Sequence, residues 1–179
     1  MISTKAVSLA SPGPVPTLGG MQKSVVRDAI VAQLQRELDL QARAAHDSRD
    51  EATSAESKSE GKYDMRSQEA AYLAEGQARL AAEIAESIAL FRALELPDFS
   101  AGRPAALGAL VTLETKGRRT VYFLGPRNGG LEVTHDGLTC LVVTPSSPLG
   151  RQLLGRKVGD SVQLPGRGAP VSHRVVALA

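Results

Sequence analysis

The chain has 179 residues with three Tyr, three Phe and no Trp, which argues against a single large core built on aromatic rings. Formal net charge is only +2, yet residues 1–100 carry 11 Lys+Arg against 15 Asp+Glu, and residues 101–179 carry 10 against 4. That asymmetry points to two modules with different surfaces. The basic C-terminal half suits either plain solubility or contact with nucleic acid.

Residues 1–20 hold Lys5 and a short apolar stretch broken by Pro12, Pro14 and Pro16, and read as a flexible tail rather than a secretory signal. From Met21 to about Ala52 there is neither proline nor glycine, and Val26, Ile30, Leu34, Leu38, Ala42, Ala45 and Ala52 recur at helical intervals. Thr53 to Gly61 is small and polar and reads as a turn. A second helix is expected from Glu60 or Lys62 to Leu96. Leu73, Gln77, Leu80, Ile84, Ser87, Phe91 and Leu94 step by four and three along it, as in a coiled-coil seam, and Pro97 ends it. Residues 21–97 thus form an antiparallel helical hairpin with its tip near 53–61, each arm reaching roughly 50 Å. Apolar residues concentrate at the base, Leu34 and Leu38 against Ile84 and Phe91, and fade toward the tip. A dimeric four-helix bundle is the alternative. The alanines at 42, 45 and 52 permit close packing of two helices, which favours a monomeric rod.

Residues 98–106 read as a linker. Beyond it the period shortens. Ala109–Glu114, Thr120–Leu124, Leu131–Thr134, Thr139–Val143, Asp160–Leu164 and Val171–Leu178 are strand-like runs between Gly, Asn and Pro signals. Between the fourth and fifth lies a short helix with Ser147 as N-cap, Pro148 in its first turn and Gly155 as its stop. Residues 107–179 thus make a small β-rich domain, and the chain as a whole is α+β.

Cys140 is the only cysteine, so no internal disulfide forms. It sits in a strand-like run as a core residue, and its being alone fits a reducing, cytoplasmic setting. No run of about 18 apolar residues exists, so no transmembrane helix or membrane partner is expected. His46, His135 and His173 are scattered, without metal-ligand spacing. No phosphate loop or Ser/His/Asp arrangement stands out.

The run from Thr144 to Asp160, Thr-Pro-Ser-Ser-Pro-Leu-Gly-Arg-Gln-Leu-Leu-Gly-Arg-Lys-Val-Gly-Asp, resembles the C-terminal domain of the GreA/GreB transcript-cleavage factors. The order of modules is also similar. The resemblance implies a coiled-coil hairpin followed by an FKBP-like domain. It further implies an RNA polymerase-binding elongation regulator whose coiled coil enters the secondary channel. By the same resemblance Ser147, Pro148, Leu149, Gly150, Arg151 and Gly155 dock the polymerase.

In that family a tip Asp and Glu, three residues apart, help hold a Mg²⁺ while the polymerase cleaves backtracked RNA. The metal orients water and stabilises the leaving oxygen. The factor is then no enzyme alone and binds no cofactor stably, sharing Mg²⁺ with the polymerase. Aligning Glu75-Gly76 with the family's Glu-Gly puts the catalytic Glu on Glu60. It also puts Ser57 where the family has Asp. Glu56 is a neighbouring substitute, and Asp64 lies one helical turn beyond Glu60. Arg36 and Arg43, seven apart, could line a path for the RNA 3′ end. The plainer reading of each is a solvated helix face, with Lys58 and Lys62 interleaved, and of Glu60 a favourable charge near a helix N-terminus. Ser57 leaves a second reading open, a binding-only competitor or inhibitor of the channel. A hairpin module that dimerises without touching polymerase is a third. Tyr63 and Tyr72 could contact polymerase, but Tyr72 beside Leu73 is expected to pack. Prolyl isomerase activity is not expected, because residues 101–179 offer only Tyr122 and Phe123 to line a proline pocket.

Overall fold

In the computed structural model the described residues are 22–56, 65–99, 102–165 and 169–179, with 51–56, 65–67 and 70 described for their backbone only. Two long helices open the chain, α1 (Lys23–Glu56) and α2 (Met65–Ala93). Six strands and one short helix follow: β1 (Leu110–Thr115), β2 (Arg118–Leu124), β3 (Glu132–His135), β4 (Leu138–Val143), α3 (Pro148–Leu153), β5 (Ser161–Leu164) and β6 (Val171–Leu178). The chain is α+β, helical at its N-terminal end and β-rich at its C-terminal end.

α1 and α2 pack side by side and antiparallel. Val26, Ile30 and Leu34 of α1 share one buried cluster with Ile84, Ile88 and Phe91 of α2. Farther out the pairing residues are small or polar. Ala45, Ser48 and Ala74 are buried, and Ser48 Oγ donates to Gln77 Oε1 at 3.2 Å. The expected seam is correct at Ile84, Ser87 and Phe91 but its outer phase is not. Leu73 and Leu80 are 56% and 43% exposed, and Tyr72, expected to pack, is 75% exposed. The inward line instead runs through the buried Ile88, the half-buried Ala81 and the buried Ala74, one residue later in each heptad. Two causes combine. Ile88 carries more apolar surface than Ser87 and turns that side of the helix inward. Alanine at 74 and 81 then lets the backbones approach, where leucines would hold them apart. On α1, Ala42 is likewise exposed and Gln41 takes the half-buried position.

The strands form one sheet in the order β3-β4-β2-β1-β6-β5, antiparallel except for the β2–β4 pair. Alternate residues serve two cores. Leu110, Phe123, Val133, Cys140 and Val142 face the base of the helical pair. Val111, Leu113, Tyr122, Leu124, Val143, Val162 and Val175 face the other way, covered by Leu153 of α3 and by Phe99 and Ala105. The helical pair therefore stands on the sheet through a shared core. Gly125 is required there, since a Cβ would lie 2.9 Å from Val142 Cγ1 and 3.0 Å from the Phe91 ring. Arg127 Nη1, beyond β2, bridges to Glu86 Oε2 of α2 at 2.7 Å.

The segment read as a linker is packed. Phe99 and Ala105 are buried, and the Ala105 and Gly155 backbones exchange hydrogen bonds with the end of α3, Ala105 N to Arg156 O at 2.7 Å and Gly155 N to Ala105 O at 2.8 Å. At the start of α1, Lys23 Nζ donates to the Pro97 carbonyl and lies 5.0 Å from the centroid of the Phe99 ring. Partial burial lowers the Lys23 pKa, with Asp98 opposing the shift. This contact fixes where α1 begins relative to the chain leaving α2.

Candidate functional site

The tip cannot be assembled from the described residues. Glu56 is the last residue of α1, described by its backbone, whereas Ser57, Glu60 and Asp64 lie outside the described residues. Among the described residues no three His, Cys, Asp or Glu side chains are grouped to hold a metal. Arg36 and Arg43 are both exposed on α1.

The second candidate site is built around α3. Ser147 caps it from an extended backbone conformation. Its Oγ accepts from Gly150 N at 2.9 Å and donates to the Thr144 carbonyl at 2.8 Å, satisfying an otherwise orphaned helix donor. Pro148 begins the first turn, where its missing N–H costs nothing. Gly150 is dictated by contact rather than by conformation: a Cβ there would lie 1.9 Å from the Thr144 carbonyl oxygen. Gly155 has a φ of 77° and lets the chain turn back toward Ala105. Arg151 Nη1 donates to the Ser146 carbonyl.

The motif residues thus divide. Ser147, Gly150 and Gly155 shape the turn, while Pro148 and Arg151 are exposed and Leu149 is half-buried beside a groove. Gln152 was not anticipated from the sequence. Its side-chain amide donates to Gln163 O and accepts from Gln163 N, both at 2.8 Å, and so ties α3 to the edge strand β5. A polar residue on the strand-facing side of a short helix was the available signal.

The groove has a volume of about 1040 Å³ and runs between Gly129-Gly130, the end of β4, α3 and the β5 edge. Leu141, Val143, Pro148, Leu149, Leu164, Pro165 and Pro170 give it a mainly apolar wall. Among the described residues no acidic, basic, histidine, cysteine or aromatic side chain lines it. The Ser147 hydroxyl is already occupied as donor and acceptor. The groove's mainly apolar wall suits binding. Tyr122 and Phe123 are buried in the two cores. Cys140 is buried as expected, and burial pushes its thiol up to about 12.

Three solved structures are similar to this chain over most of its length. The GreA factor homolog 1 (Gfh1) protein of Thermus thermophilus is 21% identical, with 84% of this chain and 95% of that chain covered, at a TM-score of 0.35. The Gfh1 of Thermus aquaticus is 24% identical over 84% and 94%, also at 0.35. A prokaryotic transcription elongation factor GreA/GreB from Nitrosomonas europaea is 21% identical, over 57% of this chain and 78% of that chain, at 0.35. No family model matches the sequence, and no curated protein matches it. Among the described residues no helix is long and apolar enough to cross a membrane.

Proposed function

We propose that this chain is a GreA/GreB-type elongation regulator that binds bacterial RNA polymerase. In this reading α1 and α2 are the two arms of a coiled-coil hairpin that enters the secondary channel. The β-rich part is an FKBP-like docking domain, and the protein works as a cytoplasmic monomer. The observation that carries it is the Ser147-capped α3 turn: residues that resemble the family's motif line a mainly apolar groove, and Leu149 in it packs on the sheet face turned away from the long helical pair. Such a groove suits docking onto a protein, with Pro148 and Leu149 in its wall and Arg151 exposed on the same short helix.

The remaining choice concerns the tip. Glu60, with Glu56 or Asp64, supplies carboxylates for a shared Mg²⁺ in a cleavage factor. Ser57 in place of Asp, with Lys58 and Lys62 nearby, favours a binding-only occupant of the channel, since each ammonium offsets negative charge that the metal needs. Two measurements test the proposal. Leu149→Asp should weaken polymerase binding by about tenfold or more, as expected when a charge is buried in an apolar contact. Wild-type protein that fails to bind polymerase would remove the proposal altogether. Halted, backtracked complexes then separate the two forms. Stimulated cleavage lost in Glu60→Ala identifies a cleavage factor. Binding without cleavage identifies the competitor.

A further inference from the structure

We propose that the end of the sheet formed by β1, β2 and β6 binds the phosphate backbone of a nucleic acid. The strand register assembles the site. Arg119 of β2, Glu114 of β1 and Arg174 of β6 are directly opposed across three neighbouring strands and so project from the same face. With strands about 4.8 Å apart, the two arginines arise roughly 10 Å from each other. Arg118, opposite Thr115, projects from the other face at the same end of the sheet, and Lys116 in the tight β1–β2 turn lies between the two faces.

Strands β1, β2, β5 and β6 with that turn carry four cations and a single carboxylate, Glu114. Glu114 is already engaged by Arg119 Nε at 2.7 Å. Lys116, Arg118 and Arg174 are exposed and have no ion-pair partner among the described residues. The exposed residues Ser161 and Ser172 share the face of Arg174, and the exposed Thr120 shares that of Arg118. Arginine, lysine and hydroxyl groups without an apolar centre are the chemistry of phosphate contact.

Two observations narrow the ligand. None of these strands exposes a large apolar side chain, so the surface lacks the apolar centre that protein interfaces use. The aromatics of β2, Tyr122 and Phe123, are buried, so no ring is offered for base stacking. The ligand is therefore held by its backbone without regard to sequence. The site adjoins the groove along β5 and β6, where Ser172 is opposite the groove-lining Gln163, whereas on the β2 side Arg119 is level with Leu138 and lies roughly 17 Å at strand spacing from the groove end of β4 at Val143.

The test is fluorescence anisotropy of the full chain with a labelled single-stranded RNA and, separately, a labelled duplex DNA, across a salt series. The triple variant Lys116→Asn, Arg118→Gln, Arg174→Gln is expected to bind at least ~10-fold more weakly. It should also flatten the log–log salt slope by about 2 on the single strand, from about 0.7 per phosphate contact. The pair Arg103→Gln, Lys157→Gln, elsewhere on the surface, should change affinity less than about twofold. Loss on either nucleic acid supports the site, and the arm that responds identifies the polymer. If the triple variant fails to fold, Arg174→Gln alone decides, with an expected slope change of about 0.7. Absence of wild-type binding to both probes at low salt overturns the proposal. So does unchanged binding by the variants, or a preference for a polyglutamate peptide over both nucleic acids.

Discussion

Gly150 and Cys140 show how single residues are fixed by what surrounds them. A methyl group at Gly150 meets the Thr144 carbonyl oxygen at 1.9 Å, and backbone rather than a flexible side chain is the obstacle. Gly150→Ala should therefore cost about 1–3 kcal/mol or more in denaturant unfolding and loosen the Ser147 cap. An unchanged midpoint would show that the turn yields freely. Cys140 is wholly buried, and burial raises its thiol pKa from 9.0 to about 12. Between those values the native state keeps a proton that the unfolded chain has released. The contribution is thus intact below pH 9 and is lost as pH rises toward 12. Tyr122, also raised by burial, adds a decline of the same sign. Cys140→Ala should make the alkaline fall in stability shallower without abolishing it, as read by urea midpoints across that range. In native wild-type protein the thiol should resist alkylation near neutral pH.

At the scale of elements, the phase of the α2 seam makes a sharp contrast. Ile88 is buried against α1 and the sheet, whereas Leu73 is mostly exposed. Ile88→Ala should cost about 2–5 kcal/mol, and Leu73→Ala should stay within about 0.5 kcal/mol of wild type. The reverse ranking would restore the seam expected from the sequence. Gly76 lies mid-helix with open space where its Cβ would be. Gly76→Ala should stabilise by about 0.5–1 kcal/mol, since glycine is the poorer helix former. The element positions themselves were legible in the sequence. Proline, glycine and asparagine punctuate the strands, and Ser147-Pro148 marks the start of α3. The seam phase was not. A four–three repeat fits either Leu80 or Ala81, and the difference lies in how near a partner helix can come. The groove was legible only as a motif. Its walls come from β4, α3, β5 and the chain before β6, which no local pattern joins, and the Gln152–Gln163 clamp depends on a tertiary contact.

The whole molecule is held together by the core between the helical pair and the sheet. Phe91 is fully buried at its centre, beside Gly125 and Val142, and Leu110, Phe123 and Cys140 complete it from the strands. Composition alone suggested two modules of opposite charge. The shared core instead makes the helical base and the sheet depend on each other for burial. Phe91→Ala should therefore cost about 3–5 kcal/mol, with consequences on both sides of the junction. In denaturant, helicity by circular dichroism and alkylation of Cys140, which reports on the sheet, should change in one coincident transition in both wild type and variant. Helicity lost well before Cys140 becomes reactive would mean that the sheet survives without the helices, and that the junction is a docking contact rather than a common core. Coincidence gives the junction a mechanical meaning. A partner held at the groove, the polymerase in the function proposed above, would then set the direction of the helical pair through Phe91 and the Arg127–Glu86 bridge, because neither part could reorient without opening the core between them.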